Sequence, residues 1–208
     1  MTNMSGNCIS KLDFPVLDMT MSWSAKFQDS LTLQRLHALG IRMIGLTIGS
    51  DRTNNPEIVT SAIGAINELV REDDRYILAR TSADLQRAID HDLLALELNF
   101  QGIGPLAGKL ENIAHFADLG VRHIGICWNT ENAAGGSATE LFDNGLTLFG
   151  RSAVAEIERV GILVDGAHAG FRTMMQAIEV STRPFIVSHT NCFAVTKARR
   201  SVTDEQIK

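Results

Sequence analysis

A chain of 208 residues, 45% hydrophobic and 21% charged, holds enough apolar material for one sizeable core and lacks the bias of a disordered or fibrous chain. A net charge of -5, with no basic run longer than Lys197-Ala198-Arg199-Arg200, argues against nucleic acid as a partner. No apolar run approaches the ~20 residues of a membrane-spanning helix. Cys8, Cys127 and Cys192 are odd in number and far apart, so a disulfide framework is not expected. Met1 to Lys11 is polar and lacks the apolar stretch of a secretory leader. A cytoplasmic protein in a reducing compartment is the expectation.

The elements alternate from the start. Phe14 to Asp18 reads as a short strand with Thr20 and Ser22 at its end, and Ala25 to Leu39 has mostly helical spacing stopped by Gly40. Ile41 to Ile48 is a buried strand, followed by a polar loop to Asn55 and a helix opened by Pro56 that runs through Val70. Tyr76 to Ala79 is the next strand, and Ser82 is expected to cap the helix after it. Leu93 to Phe100 is a strand, Pro105 to Leu119 a helix, and Val121 to Trp128 a strand. A long Gly-, Asn- and Ser-rich loop covers Asn129 to Thr147, the kind of segment that is functional or mobile inside a compact α/β domain. Ser152 to Val160 is helical, and strands from Gly161 and from Pro184 follow on either side of one more helix. A turn and short helix are expected over Asn191 to Arg199, and a last helix begins at Thr203 or Asp204. Unbroken βα alternation with continuously apolar strands implies a parallel sheet covered by helices, in one domain. About six βα units are fewer than the eight of a closed barrel.

The two C-terminal strands each end in a histidine: Val164-Asp165-Gly166-Ala167-His168 and Val187-Ser188-His189. Parallel strands carry functional groups at their carboxyl ends, so His168 and His189 become neighbours at one mouth. Two imidazoles there could hold a divalent metal, or could be hydrogen-bonded residues of the core and rim. Glu97 is a single acid inside an apolar strand, and a buried carboxylate needs a cation, donors or a metal beside it. Together with His168 and His189 it would make a three-ligand zinc set with one position left for water. The alternative is a salt bridge from Glu97 to Arg122 or Arg200. The other histidines, His37, His91, His115 and His123, read as surface or rim residues, and Cys127 and Cys192 as small apolar fillers. Gly102-Ile103-Gly104 lacks the glycine spacing of a dinucleotide-binding turn.

From Leu96 onward these residues fall into ordered blocks: Glu97, Leu119-Gly120-Val121-Arg122, Asn144-Gly145-Leu146-Thr147, Phe149-Gly150, Val164 to His168, Ser188 to Asn191, and Arg199-Arg200. In that order they resemble the membrane (renal) dipeptidase family of zinc peptidases. The resemblance implies a TIM-barrel-like fold of the metal-dependent hydrolase type, here an incomplete one over residues 1–208. It implies cleavage of a dipeptide or similar small peptide-like substrate by metal-activated water. Glu97 matches the family's bridging glutamate, His168 and His189 match the histidines of its second metal, and Arg200 matches the arginine that pairs with the substrate carboxylate. Asp165 is implied as a supporting acid.

Three departures accompany the match. Thr20 and Ser22 stand where the family has a His-x-Asp pair, Trp128 stands in place of a histidine that contacts substrate, and the sequence stops before the family's last strands. One zinc at most is therefore expected, with Thr20, Ser22 and Trp128 lining the substrate site. A catalytically impaired homologue that binds a peptide-like metabolite is the alternative. The edges of an incomplete barrel also imply a homo-oligomer.

Overall fold

The computed structural model describes residues 14–24 and 30–208. Seven strands lie in one sheet, and every strand pair in it is parallel. They are β1 (Val16–Met21), β2 (Ile41–Ser50), β3 (Tyr76–Leu78), β4 (Leu94–Gln101), β5 (Val121–Gly125), β6 (Leu163–Asp165) and β7 (Phe185–Ile186). Helices α1 (Leu31–Ala38), α2 (Pro56–Glu72), α3 (Ser82–Asp90), α4 (Glu111–Leu119), α5 (Leu148–Arg159) and α6 (Phe171–Val180) follow strands in turn, and α7 (Asp204–Ile207) comes last. The sheet runs β1-β2-β4-β5-β6-β7, and β3 pairs with the first residues of β4.

β4 is the centre of this sheet. Its Leu94, Leu96, Leu98 and Phe100 are fully buried and belong to the main core, where Phe100 meets Phe116 of α4 edge to face, ring centroids 4.9 Å apart. Strand alternation turns Ala95, Glu97, Asn99 and Gln101 to the other face. Gly45 of β2 stands in register with Glu97. A Cβ on Gly45 would come within 2.2 Å of the Met19 carbonyl oxygen of β1 and 3.0 Å of Asn99 Nδ2, so the close approach of β1 to β2 requires glycine. The sheet curls into an open, partial barrel. Its outer strands are not paired with each other, but Thr20 of β1 donates its hydroxyl to Ser188, just past β7, at 3.3 Å.

Local chemistry moves several expected boundaries. Asn55 caps α2 by accepting from Glu57 N with Pro56 in the first turn, as the sequence implies. The cap of α3 is Thr81 rather than Ser82, in a reciprocal box with Asp84. The helix expected from Pro105 breaks into a 3-10 turn (Gly104–Leu106) and α4, because Ala107 and Gly108 adopt positive φ values of 50° and 75°. α5 starts four residues early, where Thr147 accepts from Gly150 N. The strands expected to reach Trp128 and His189 stop at Gly125 and Ile186, so both residues stand on loops at the sheet's carboxyl edge. Asn191 to Arg199 forms turns and no helix. The expected first helix begins partly outside the described residues. Among the described residues no helix is long and apolar enough to cross a membrane.

Candidate active site

Three residues beyond β6 and three beyond β7, the sheet delivers His168 and His189 to one point. Their Nε2 atoms lie 2.8 Å apart. The far side of each ring is fixed. His168 Nδ1 donates to Asn129 Oδ1 at 2.9 Å. Ser188 Oγ gives its own proton to Asp165 Oδ2 at 2.6 Å, so it accepts from His189 Nδ1 at 2.8 Å. With both Nδ1 atoms protonated, two neutral rings aim bare Nε2 lone pairs at each other. Only a shared proton or a cation between them relieves that contact. Burial, then the Arg200 charge and the neighbouring His189, push the His168 pKa down to about 3. Burial lowers His189 as well, against the pull of Asp165. Protonation is thus disfavoured where a positive charge is wanted. His168 is also strained, with φ 70°. The bend is held by its carbonyl, which accepts from Ala138 N at 2.8 Å and Ser137 Oγ at 3.2 Å.

Glu97 is 5% exposed and its partner was not foreseen. Neither Arg122 nor Arg200 bridges it. His123, expected at the surface or rim, is 1% exposed, and its Nδ1 meets Glu97 Oε1 at 3.1 Å. Asn99 Nδ2 donates to Glu97 Oε2 at 3.2 Å. Burial opposes a charge on His123, yet the Glu97 charge and hydrogen bond, with Asp165 behind, hold its pKa above the ordinary value. The only hint in the sequence is that His123, like Glu97, is polar inside an apolar strand. Asp165 is the fully buried acid between the two groups. It accepts from Ala167 N, Ser188 N and Ser188 Oγ, and its Oδ2 lies 3.8 Å from His123 Nε2.

The remaining expected site residues surround this centre. Arg200 is half-buried beside the histidines, with Nη2 3.4 Å from the His189 carbonyl oxygen and Nε without a hydrogen-bond partner. Burial lowers its pKa, against the pull of Asp165. The Trp128 ring sits 6.2 Å from that of His168, and Ser22 and Trp128 line a common cavity. The long 129–147 loop is a hydrogen-bonded wall rather than a loose flap. Asp51 anchors it by accepting from Trp128 N at 2.7 Å, Asn132 Nδ2 at 2.9 Å and Gly104 N at 3.1 Å. Burial outweighs these bonds and raises the Asp51 pKa. Asp51, Asn129 and Asn132 carry no periodic signal in the sequence. Cys127 is buried as expected, whereas Cys192 is exposed and fills nothing.

A zinc site needs three protein ligands. His168 and His189 supply two converging nitrogens, but Glu97 is held by His123 and Asn99. Among the described residues no group of three or more His, Cys, Asp or Glu is arranged to hold a metal ion. The donor set therefore fits a metal in part.

Comparison with known proteins identifies the family and the fold. The family model for membrane dipeptidases (peptidase family M19) matches residues 55–208. Dipeptidase verJ of Clonostachys rogersoniana is 30% identical over 146 residues, covering 69% of this chain and 38% of that protein. A solved amidohydrolase from Pseudomonas aeruginosa superposes with a TM-score of 0.84 at 26% identity, over 92% of this chain and 57% of that one. The solved metallopeptidase dipeptidase AC gives a TM-score of 0.76 at 23% identity, over 84% and 58%, which bears on the fold alone. The chain spans 29–39% of the length of the curated dipeptidases it matches.

Proposed function

Since this chain belongs to the membrane dipeptidase family, peptidase family M19, we propose that it acts as a zinc-dependent hydrolase of dipeptides or similar small amides. The observation that carries this reading is the pair of bare Nε2 atoms of His168 and His189, 2.8 Å apart at the barrel mouth. Both would hold the metal, and Glu97 would complete three ligands by exchanging its bond to His123 for one to the metal. Zinc held there would supply a water with a pKa of ~7 and would polarise the substrate carbonyl. The chain's own residues do the rest. Asn129 and Ser188 fix the two rings through their Nδ1 atoms. The Arg200 fork pairs with a substrate carboxylate, Trp128 packs against the substrate body, and the Thr20 and Ser22 hydroxyls border it.

A second reading, binding of a peptide-like metabolite without turnover, is favoured by one observation: Glu97 already has a partner in His123. Elemental analysis after exhaustive dialysis, run beside Ala-Ala hydrolysis with added zinc, separates the two. The first reading expects about one zinc per chain, lost in His189→Ala together with hydrolysis. Zinc retained without hydrolysis supports the second. No zinc retained, or hydrolysis equal in wild type and His189→Ala, overturns the first.

A further inference from the structure

Trp128, whose ring lies 6.2 Å from that of His168, also lines a second cavity of about 340 Å³ at the carboxyl ends of β1, β2 and β4. Ser22, Thr47, Ser50, Arg52, Gln101 and Trp128 are among the residues that line it, and among the described residues none of its lining is acidic. Among the described lining residues the one charged group is the Arg52 guanidinium, whose Cζ lies over the indole of Trp128, 4.8 Å from the ring centroid. The contact with the indole face positions the cation at the cavity wall. The Asp51 carboxylate, next to Arg52 in the chain, is engaged by Trp128 N, Asn132 Nδ2 and Gly104 N.

A relay of hydrogen bonds joins this cavity to the buried acid of the site. Gln101 Nε2 donates to Thr47 Oγ1 at 3.0 Å, Thr47 Oγ1 to Asn99 Oδ1 at 3.0 Å, and Asn99 Nδ2 to Glu97 Oε2 at 3.2 Å. Each donor points toward Glu97, so the wall is set by the catalytic end. A substrate whose scissile amide lies at the histidines and whose side chain reaches past Trp128 meets the Arg52 cation there.

We infer that the Arg52–Trp128 cavity is a specificity subsite for a carboxylate-bearing side chain, and that acidic dipeptides are the preferred ligands of this site. The inference rests on the dipeptidase reading for the word dipeptide, and on the cavity alone for the word carboxylate. Isothermal titration calorimetry on the full chain separates the two, using Gly-Asp and Gly-Glu, their neutral isosteres Gly-Asn and Gly-Gln, and glutarate as a peptide-free probe. Acidic dipeptides should bind about tenfold more tightly than their amides, the worth of one charged hydrogen-bond pair. Arg52→Gln should erase that ratio and leave the amides' affinity unchanged, while Arg200→Gln should weaken all four alike. Equal binding of acid and amide in wild type, or a ratio that survives Arg52→Gln, overturns the subsite. If no dipeptide binds but glutarate does, and Arg52→Gln abolishes it, the carboxylate subsite stands and the dipeptide reading falls. If glutarate also fails to bind, both fall.

Discussion

Replacing His123 with leucine tests whether the Glu97–His123 pair is a buried ionic contact rather than incidental packing. The substitution keeps an apolar filler of similar size and leaves the Glu97 carboxylate, 5% exposed, with the Asn99 amide at 3.2 Å as its remaining side-chain donor. Removing one member of a buried ion pair costs about 3–5 kcal/mol, because the survivor stays desolvated without compensation. A domain's whole stability is about 5–15 kcal/mol, so the loss is about a fifth or more of it. With a urea slope of about 2 kcal/mol per molar, the unfolding midpoint should fall by roughly 2 M. The double variant Glu97→Leu with His123→Leu removes the stranded charge as well, and an apolar pair at such a site is often about neutral. The double variant should therefore be more stable than His123→Leu alone, with a coupling energy of at least about 2 kcal/mol. Urea titrations of all four proteins by far-ultraviolet circular dichroism at pH 7 measure this. A loss below about 1 kcal/mol for His123→Leu, or additive losses in the double variant, would refute the reasoning.

Two further outcomes follow from the titrating groups. The folded His168 pKa, about 3, lies below the ordinary imidazole value. In buffer with chelator, folding stability should therefore be complete above about pH 6.5 and fall by up to ~1.4 kcal/mol per unit as the pH drops. His168→Gln should flatten that acid slope; an unchanged slope places the titration elsewhere. His123, with its pKa raised, contributes in the opposite sense, fully below about pH 6.5 and less as the pH climbs through its folded value. Burial first, then the charges of Asp51, Asp143 and Asp165, push the Cys127 thiol well above its usual range. Site-resolved alkylation at pH 8 should label exposed Cys192 within minutes and Cys127 only on global unfolding; equal labelling of the two would show the wall around Cys127 to be open.

The parts legible in the sequence were those with a local signature. Apolar β-branched runs between helical spacings located all seven strands, and two such runs ending in histidine located the pair that meets at 2.8 Å. Glu97 stood out as a lone acid in an apolar strand. What escaped were partners distant along the chain. Asp51 and Asn132 are 81 residues apart and sit in loops, where no periodicity marks which residue faces which. His123 was misplaced because its position near a strand start suggested the rim. Its register opposite Asn99 and Leu163 puts it inside the curl instead. Boundaries slipped where a backbone conformation decides, as at Ala107 and Gly108, since positive φ at alanine has no signature in composition.

Asp165 links the histidine pair at the mouth to the buried Glu97–His123 pair. It faces the unpartnered Nε2 of His123 at 3.8 Å on one side and binds the Ser188 hydroxyl and amide on the other. Through Ser188 it sets which nitrogen of His189 carries a proton, and therefore which one is bare toward His168. Its charge also helps to hold the His123 pKa above the ordinary value, beside that of Glu97. One carboxylate thus contacts both the buried Glu97–His123 pair and, through Ser188, the histidine pair at the mouth. Thr20 donates to that same Ser188 hydroxyl from β1, at 3.3 Å. That contact ties the two outer strands of the sheet together at their carboxyl ends.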